Sequence, residues 1–249
     1  MINADNLLFF SPISIRLPSE LYDLIEADAR LFGFIKNGKG NINGFLNQLL
    51  PSIIDMFSNV STAELFGDVE EPTPLVFKNP MVYLDTLFKP LLKGNNVTIS
   101  FRVNKAHEQD FRNIYKNILP FFNKDFSALF RSLLTCYVTN RLAIRERFVY
   151  FKNYSEISNA TAEKKECVCF LKKEIIRFSC LKIFVSPITD RNILLGIEKA
   201  TGKINIMSFA LIENAIMQEE DSENVKVSLK VLTQGFRAYL QGEKKLQNR

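Results

Sequence analysis

A strand pattern that occurs twice constrains the fold of this chain most. Residues 12–18 read Pro-Ile-Ser-Ile-Arg-Leu-Pro, so apolar and polar side chains alternate and predict a strand with one buried and one exposed face. Residues 97–103 read Val-Thr-Ile-Ser-Phe-Arg-Val and alternate in the same way. The sequence therefore predicts two equivalent strands, whose Ser-x-Arg motifs lie 86 residues apart on the outward face.

Two helical segments follow each of these strands. Apolar residues recur at helical spacing in residues 18–31 and 41–54 of the first copy, and in 111–119 and 126–138 of the second. Asn41 or Asn43 can cap the second helix of the first copy, since a side-chain oxygen there accepts a backbone N–H. The pattern predicts a strand-helix-helix unit that occurs twice.

The pattern changes to short strands in the last third of the chain. The predicted strands are residues 148–154, 166–171, 181–186, 193–198, 204–208 and 225–229. A hairpin turn is predicted at Thr201-Gly202-Lys203, and Phe236, Tyr239 and Leu240 indicate a final amphipathic helix. We expect a small β-barrel followed by a C-terminal helix.

These patterns define the predicted organisation. The predicted fold class is α+β. Two strand-helix-helix units, which resemble ribbon-helix-helix units, are followed by a small β-barrel, which resembles Sm/SH3-like barrels, and by a C-terminal helix. The predicted segments are unit one at 1–60, a bridging segment at 61–95, unit two at 96–145, the barrel at 146–221, and a strand-helix extension at 222–249.

Composition favours a binding protein without catalytic machinery. Lys and Arg number 32 against 27 acids, and the positive charge is concentrated in residues 101–152, which are net +6, whereas residues 1–60 are net −2. The chain has one histidine and four cysteines without a C-x-x-C pair, which indicates reduced core thiols. We therefore expect no catalytic residues, metal site or cofactor.

With neither a signal sequence nor a long apolar run, the protein is expected to be cytoplasmic.

The first two thirds of the chain resemble the ribbon-helix-helix family of DNA-binding proteins. The resemblance rests on a strand reading Ser-x-Arg-Leu-Pro, then a helix, then an Asn-capped second helix. Members of that family pair two such strands into an antiparallel ribbon that enters the major groove. With two units in one chain, the ribbon can form within a single molecule.

The resemblance implies roles for particular residues. Base-reading positions fall on Ser14, Arg16, Ser100 and Arg102, and the turns at the start of the second helices would bind phosphate. The further nucleic-acid-binding candidates in and near these turns are Asn43, Lys124, Ser127 and Arg131.

The last third resembles the WYL domain, a small barrel found in bacterial transcription regulators and CRISPR-associated proteins. Ser186-Pro187, Ile193-Leu-Leu195 and Ser208-Phe-Ala-Leu-Ile212 follow the order of that family's signature segments. Together, the two resemblances point to the WYL-domain accessory proteins of type VI-D CRISPR systems. That likeness implies binding of single-stranded RNA and stimulation of an RNA-guided RNA nuclease.

A basic and aromatic stretch at residues 140–154 is a second candidate site. Its candidate residues are Arg141, Arg145, Arg147, Tyr150 and Lys152. Cations beside aromatic rings suit single-stranded RNA, because phosphates are neutralised while bases stack. The alternative is a helix end that runs into a barrel strand with buried aromatic side chains.

Three functions remain open from the sequence. The first is an accessory regulator that binds single-stranded RNA and modulates a CRISPR effector nuclease, and the second is a ribbon-helix-helix repressor that binds duplex DNA. The third is a protein-interaction adaptor with a degenerate barrel. A homodimer is expected, because strand edges of the ribbon and barrel invite pairing.

Overall fold

The two predicted strands pair with each other in the computed structural model, which describes residues 12–59 and 95–222 together with Phe236 and Tyr239. Strand β1 (Ile13–Pro18) runs antiparallel to β4 (Asn96–Phe101), with Ser14 directly opposite Ser100. In β1 the side chains of Ile15 and Leu17 are fully buried. The predicted alternation, and the formation of the ribbon within one molecule, are confirmed.

The elements after β1 follow the predicted order with one addition. Helix α1 (Ser19–Leu31) is followed by a hairpin of β2 (Ile35–Lys36) and β3 (Lys39–Gly40), where the sequence indicated a simple break between helices. Asn37 and Gly38 form its two-residue turn with φ angles of 52° and 75°. Positive φ at both positions is what a type I′ hairpin requires. Helix α2 (Ile42–Asn59) follows.

The second copy has a more divided first helix than predicted. A 3₁₀ turn (Lys105–His107) leads into α3 (Glu108–Asn113), a π-helical turn (Ile114–Ile118) and a second 3₁₀ turn (Leu119–Phe122). Helices α4 (Phe126–Val138) and α5 (Leu142–Val149) complete this part of the chain.

One apolar core supports the ribbon. It is built from the inward face of both strands and from the apolar stripes of the helices. Its large buried members are Ile15, Leu17, Leu21, Ile25, Phe45, Leu46, Leu49, Phe101, Phe130, Leu133, Leu134, Tyr137 and Phe148. The predicted apolar stripes of both repeats therefore contribute to the buried interior.

The chain divides into two compact units, Met1–Val149 and Tyr150–Arg249. The predicted boundary after residue 145 lies inside α5. The predicted strand at 148–154 is wrong, because these residues belong to the end of α5 and to helix α6 (Phe151–Glu163). Buried Ile144 and Phe148 are one helical turn apart, so helical rather than alternating periodicity governs this stretch.

The second unit is one helix and an antiparallel sheet. After α6, the strands are β5 (Lys165–Leu171), β6 (Ile175–Val185), β7 (Asn192–Glu198), β8 (Ile204–Ser208) and β9 (Ile212–Asp221). Their order in the sheet is β8-β7-β6-β5-β9. Gly202 has a φ of 64° in the predicted hairpin turn between β7 and β8. Strand β6 begins earlier than predicted, and β9 is a strand that the sequence did not predict.

Within the described residues this sheet is open, so the predicted closed barrel is not formed by them. In a flat sheet, four strand spacings of about 4.8 Å would separate the edges by about 19 Å. The chain connects edge strand β8 to edge strand β9 between Ser208 and Ile212, four residue steps that reach at most about 14 Å. The sheet must therefore curl or twist rather than lie flat.

Other predictions concern the remaining residues. The predicted bridging segment at 61–95 and the strand at 225–229 lie outside the described residues, except that residue 95 is described. Phe236 and Tyr239 are helical, as predicted for the C-terminal helix. None of the described helices is both long and apolar enough to cross a lipid bilayer.

The four cysteines are buried and unpaired, which confirms the prediction of core thiols. Cys167, Cys169 and Cys180 belong to the core of the second unit, whereas Cys136 lies on α4. Burial raises the pKa of Cys136 to about 12. Hydrogen bonding to Cys167, together with burial, raises the pKa of Cys169 and Cys180.

We expect these thiols to be unreactive in the folded protein. The thiolate is the reactive form, and a raised pKa suppresses it at Cys136, Cys169 and Cys180. Hydrogen bonds with Cys169 and Cys180 lower the pKa of Cys167 to about 4, so burial alone shields this sulfur from the reagent. At pH 8 a disulfide reagent such as Ellman's reagent should modify none of the four at the rate of a free thiol, and all four after unfolding in urea. Rapid modification of a cysteine in the folded protein would contradict the burial.

Candidate nucleic-acid interface

The outward side of the ribbon brings the two Ser-x-Arg motifs together on one surface. Ser14, Arg16, Thr98 and Ser100 are exposed, as is Arg102, which immediately follows β4. We call these five residues the ribbon face. None of them is aromatic. The face therefore offers guanidinium and hydroxyl groups for hydrogen bonding, but no ring on which a base could stack.

The two arginines lie at opposite ends of the ribbon face. The Ser14–Ser100 pair is its centre, and Arg16, opposite Thr98, lies two residues further along β1. Arg102 lies two residues beyond Ser100 in the opposite direction, since the strands are antiparallel. Four residue steps of about 3.4 Å place the two Cα atoms about 14 Å apart along the strands.

The start of helix α4 holds the backbone of Arg16 from the second repeat. The N–H of Arg16 donates to the hydroxyl of Ser127 at 3.0 Å, and its carbonyl accepts from the guanidinium of Arg131 at 3.2 Å. Both backbone groups therefore point away from β4 and are satisfied by α4.

The start of helix α2 holds the backbone of Arg102 in the same way. The N–H of Arg102 donates to Asn43 Oδ1 at 2.7 Å, and its carbonyl accepts from Asn47 Nδ2 at 2.9 Å. Asn43 and Ser127 occupy equivalent places in the repeat, as do Asn47 and Arg131. We call this reciprocal arrangement the cross-clasp: each repeat uses its second helix to hold the arginine-bearing strand of the other.

The helix starts were also predicted to bind phosphate, at Asn43 and Ser127. Asn41 caps α2, accepting from the N–H of Gly44 at 3.0 Å. Asp125 caps α4, accepting from the N–H groups of Ser127 and Ala128 at 2.7 and 3.2 Å. The carboxylate of Asp125 already satisfies the two N–H groups that an anion would use at α4. The phosphate role of these turns stays a prediction.

Lys124 and Arg131 flank this helix start. Lys124 is exposed and adopts a left-handed backbone conformation with a φ of 61°. The Arg131 side chain is 32% exposed and lies 4.0 Å from the carboxylate of Asp125. Both therefore remain candidates for phosphate contact, next to the Arg16 end of the ribbon face.

The residues of the second candidate site, at 140–154, belong to two units and differ in exposure. Arg145 turns inward, where its Nη1 lies 2.5 Å from Oδ2 of buried Asp28. The Tyr137 hydroxyl donates to the same oxygen at 2.7 Å. Arg145 thus neutralises a core carboxylate, and its contact with nucleic acid stays a prediction.

The other residues of that stretch are divided between the two units. Arg141 is exposed and Arg147 half-buried in the first unit. In the second unit Tyr150 packs against the apolar core, whereas Lys152 is exposed on α6. The alternative, in which aromatic residues here are buried, fits Tyr150 and the fully buried Phe148.

Sequence reasoning missed two structurally important residues. Asn47 is fully buried and is one of the four side chains of the cross-clasp, while Asp28 anchors Arg145. The repeat offset could have found Asn47, because it is the counterpart of candidate Arg131. Nothing in the local pattern distinguishes Asp28 from an exposed helical acid.

Comparisons with known proteins place the fold. No protein-family model matches this chain, and no curated protein matches it in sequence. A solved structure titled "Crystal structure of a CRISPR Cas-related protein" is similar, with a TM-score of 0.56 over 89% of this chain and 14% sequence identity. This chain spans 65% of the length of that protein. At this identity the likeness establishes a shared fold.

Proposed function

We propose that this protein is a non-enzymatic, nucleic-acid-binding accessory protein of a CRISPR-type system, and that the ribbon face contacts the nucleic acid. The observation that carries the proposal is the meeting of both Ser-x-Arg motifs on one exposed, intramolecular ribbon. Arginine presents a planar fork of donors that suits both phosphates and guanine edges. The fold shared with a CRISPR Cas-related protein supports the proposed CRISPR setting.

Single-stranded RNA is the first candidate ligand, and an RNA-guided effector nuclease is the proposed partner. The CRISPR Cas-related neighbour favours this candidate, because RNA guides are central to such systems. On this proposal, Arg16 and Arg102 neutralise phosphates while the bases are contacted elsewhere, since the ribbon face has no aromatic ring for stacking.

Duplex DNA is the second candidate ligand, and the shape of the ribbon favours it. The major groove of B-DNA admits a two-stranded β-ribbon, whereas the major groove of A-form RNA is too deep and narrow for side chains to read. The polar side chains of Ser14, Ser100 and Thr98 would then face base edges between the two arginines.

A titration with three ligands tests the proposal. Fluorescently labelled 20-nucleotide single-stranded RNA, single-stranded DNA and a 20-base-pair duplex of the same sequence are compared at two salt concentrations. Replacing Arg16 and Arg102 together with alanine should weaken binding by about 10–100-fold and reduce the salt dependence, because two cationic contacts are lost.

A matched double variant controls for overall charge. Arg30 and Arg112 lie outside the ribbon face and form i,i+4 pairs with Glu26 and Glu108. Replacing both with alanine removes the same charge and should leave affinity nearly unchanged. Absence of salt-sensitive binding to all three ligands would overturn the proposal and leave a protein-interaction adaptor.

The ribbon itself needs no second copy of the chain. Its two strands come from one molecule, and the cross-clasp covers the outer edges at Arg16 and Arg102. A homodimer is therefore proposed to involve the other unit, where β8 and β9 are the edges of the described sheet. Light scattering with size-exclusion chromatography measures the oligomeric state.

A further inference from the structure

We infer that Asn43 and Ser127 are positioning residues, each of which sets the direction of the arginine on the opposite repeat. Ser127 acts on Arg16 and Asn43 acts on Arg102, through hydrogen bonds of 3.0 and 2.7 Å to the backbone N–H groups. The inference rests on the proposed function, because it concerns how the ribbon face is held ready for its ligand.

The hydrogen bonds fix the backbone where each arginine side chain begins. The N–H and carbonyl of Arg16 are both bonded to α4, and those of Arg102 are both bonded to α2. With both peptide groups held, the Cα–Cβ bond has a defined direction on the ribbon face. Fixing this direction before binding lowers the entropy lost when the guanidinium meets its partner.

Each of the two residues holds an arginine of the other repeat. This crosswise arrangement distinguishes a positioning role from general stabilisation of the fold. Asn43 belongs to the first repeat but holds the strand of the second, and Ser127 does the reverse. Each residue should therefore influence one arginine and not the other. A side chain that merely stabilised the fold would affect both ends of the ribbon alike.

The two positions are suited to substitution. Neither side chain caps its own helix, because Asn41 and Asp125 do so. Asn47 and Arg131 are less informative: Asn47 also bonds the backbone of Asn104 and Asn43, and Arg131 carries a charge of its own. Asn43→Ala and Ser127→Ala remove an acceptor while the helix caps remain.

Double-mutant cycles measure the coupling directly. Affinity for the labelled 20-nucleotide RNA and the 20-base-pair duplex is determined for Ser127→Ala, alone and combined with either arginine substitution. We expect Ser127→Ala to weaken binding about three- to ten-fold, through loss of one backbone hydrogen bond. This effect should vanish in the Arg16→Ala background and persist with Arg102→Ala.

The mirror experiment uses Asn43→Ala. Its effect should vanish with Arg102→Ala and persist with Arg16→Ala. Ser127→Thr retains the hydroxyl, and should therefore restore most of the affinity that Ser127→Ala loses. Circular dichroism and thermal unfolding verify that each variant is folded.

The possible outcomes test the positioning role and the proposed nucleic-acid binding separately. If the arginine substitutions weaken binding but the clasp substitutions act equally in both backgrounds, positioning is overturned and the proposed function stands. If neither arginine substitution changes affinity for either probe, the proposed function fails, and the inference fails with it.

Discussion

Replacing Arg145 with alanine should lower the free energy of unfolding by about 3–5 kcal/mol, because it leaves a buried carboxylate without its cation. Asp28 is 4% exposed, and its Oδ2 accepts hydrogen bonds from both Arg145 and the Tyr137 hydroxyl. After the substitution, the tyrosine hydroxyl would remain as a neutral partner for the charge. Urea denaturation followed by circular dichroism measures the change.

An exposed pair provides the matched control for Arg145. Arg30 forms an ion pair with Glu26 at 2.8 Å, but its side chain is 51% exposed. Because water solvates both groups when the pair is broken, Arg30→Ala should change stability far less. Equal losses in the two variants would contradict the structural role of the Asp28–Arg145 pair.

Phe101→Ala should also destabilise the first unit by about 3–5 kcal/mol, because it removes a large, fully enclosed aromatic side chain. Phe101 is 1% exposed, and its ring centroid lies 5.3 Å from that of Phe111 and 5.2 Å from that of Phe130. It ends β4 immediately before Arg102. The cavity should therefore loosen the ribbon as well as the core.

Hydrogen-deuterium exchange localises this effect. Amides in residues 13–18 and 96–101 should exchange faster in Phe101→Ala, since both strands depend on the same core. Ile35, on the short hairpin, is 59% exposed, and Ile35→Ala should change stability by no more than about 0.5 kcal/mol. Unchanged exchange in the ribbon would show that Phe101 does not support it.

The sequence predicted those features of the ribbon that depend on local periodicity. Alternation placed Ser14 and Arg16 on the exposed side, and the repeat did the same for Ser100 and Arg102. The register, with Ser14 opposite Ser100, comes from the structure. The cross-clasp was not predictable in this way, because Ser127 bonds a backbone group 111 residues away. Every residue has a backbone N–H or carbonyl group. The residue type at position 16 therefore does not reveal that its backbone is the partner of Ser127.

Long-range partners also explain why Arg145 is less exposed than the sequence indicated. A basic residue near aromatic residues looks exposed, yet Arg145 is drawn inward by Asp28, which lies 117 residues earlier. The predicted strand at 148–154 failed for a related reason: aromatic residues favour strands, but burial of Ile144 and Phe148 follows a helical turn. The burial of these side chains in the folded protein outweighed the local preference of aromatic residues for strands.

The cross-clasp also determines when the N-terminal strand can fold during synthesis. The carbonyl of Arg16 is bonded by Arg131, which the ribosome adds 115 residues later. At about 5–20 residues per second, roughly 6–23 s pass before that partner exists. The apolar side chains of β1 have no β4 to pair with until residues 96–101 have been added, and α4 follows later still. The first repeat therefore cannot complete the ribbon until the second repeat has been synthesised.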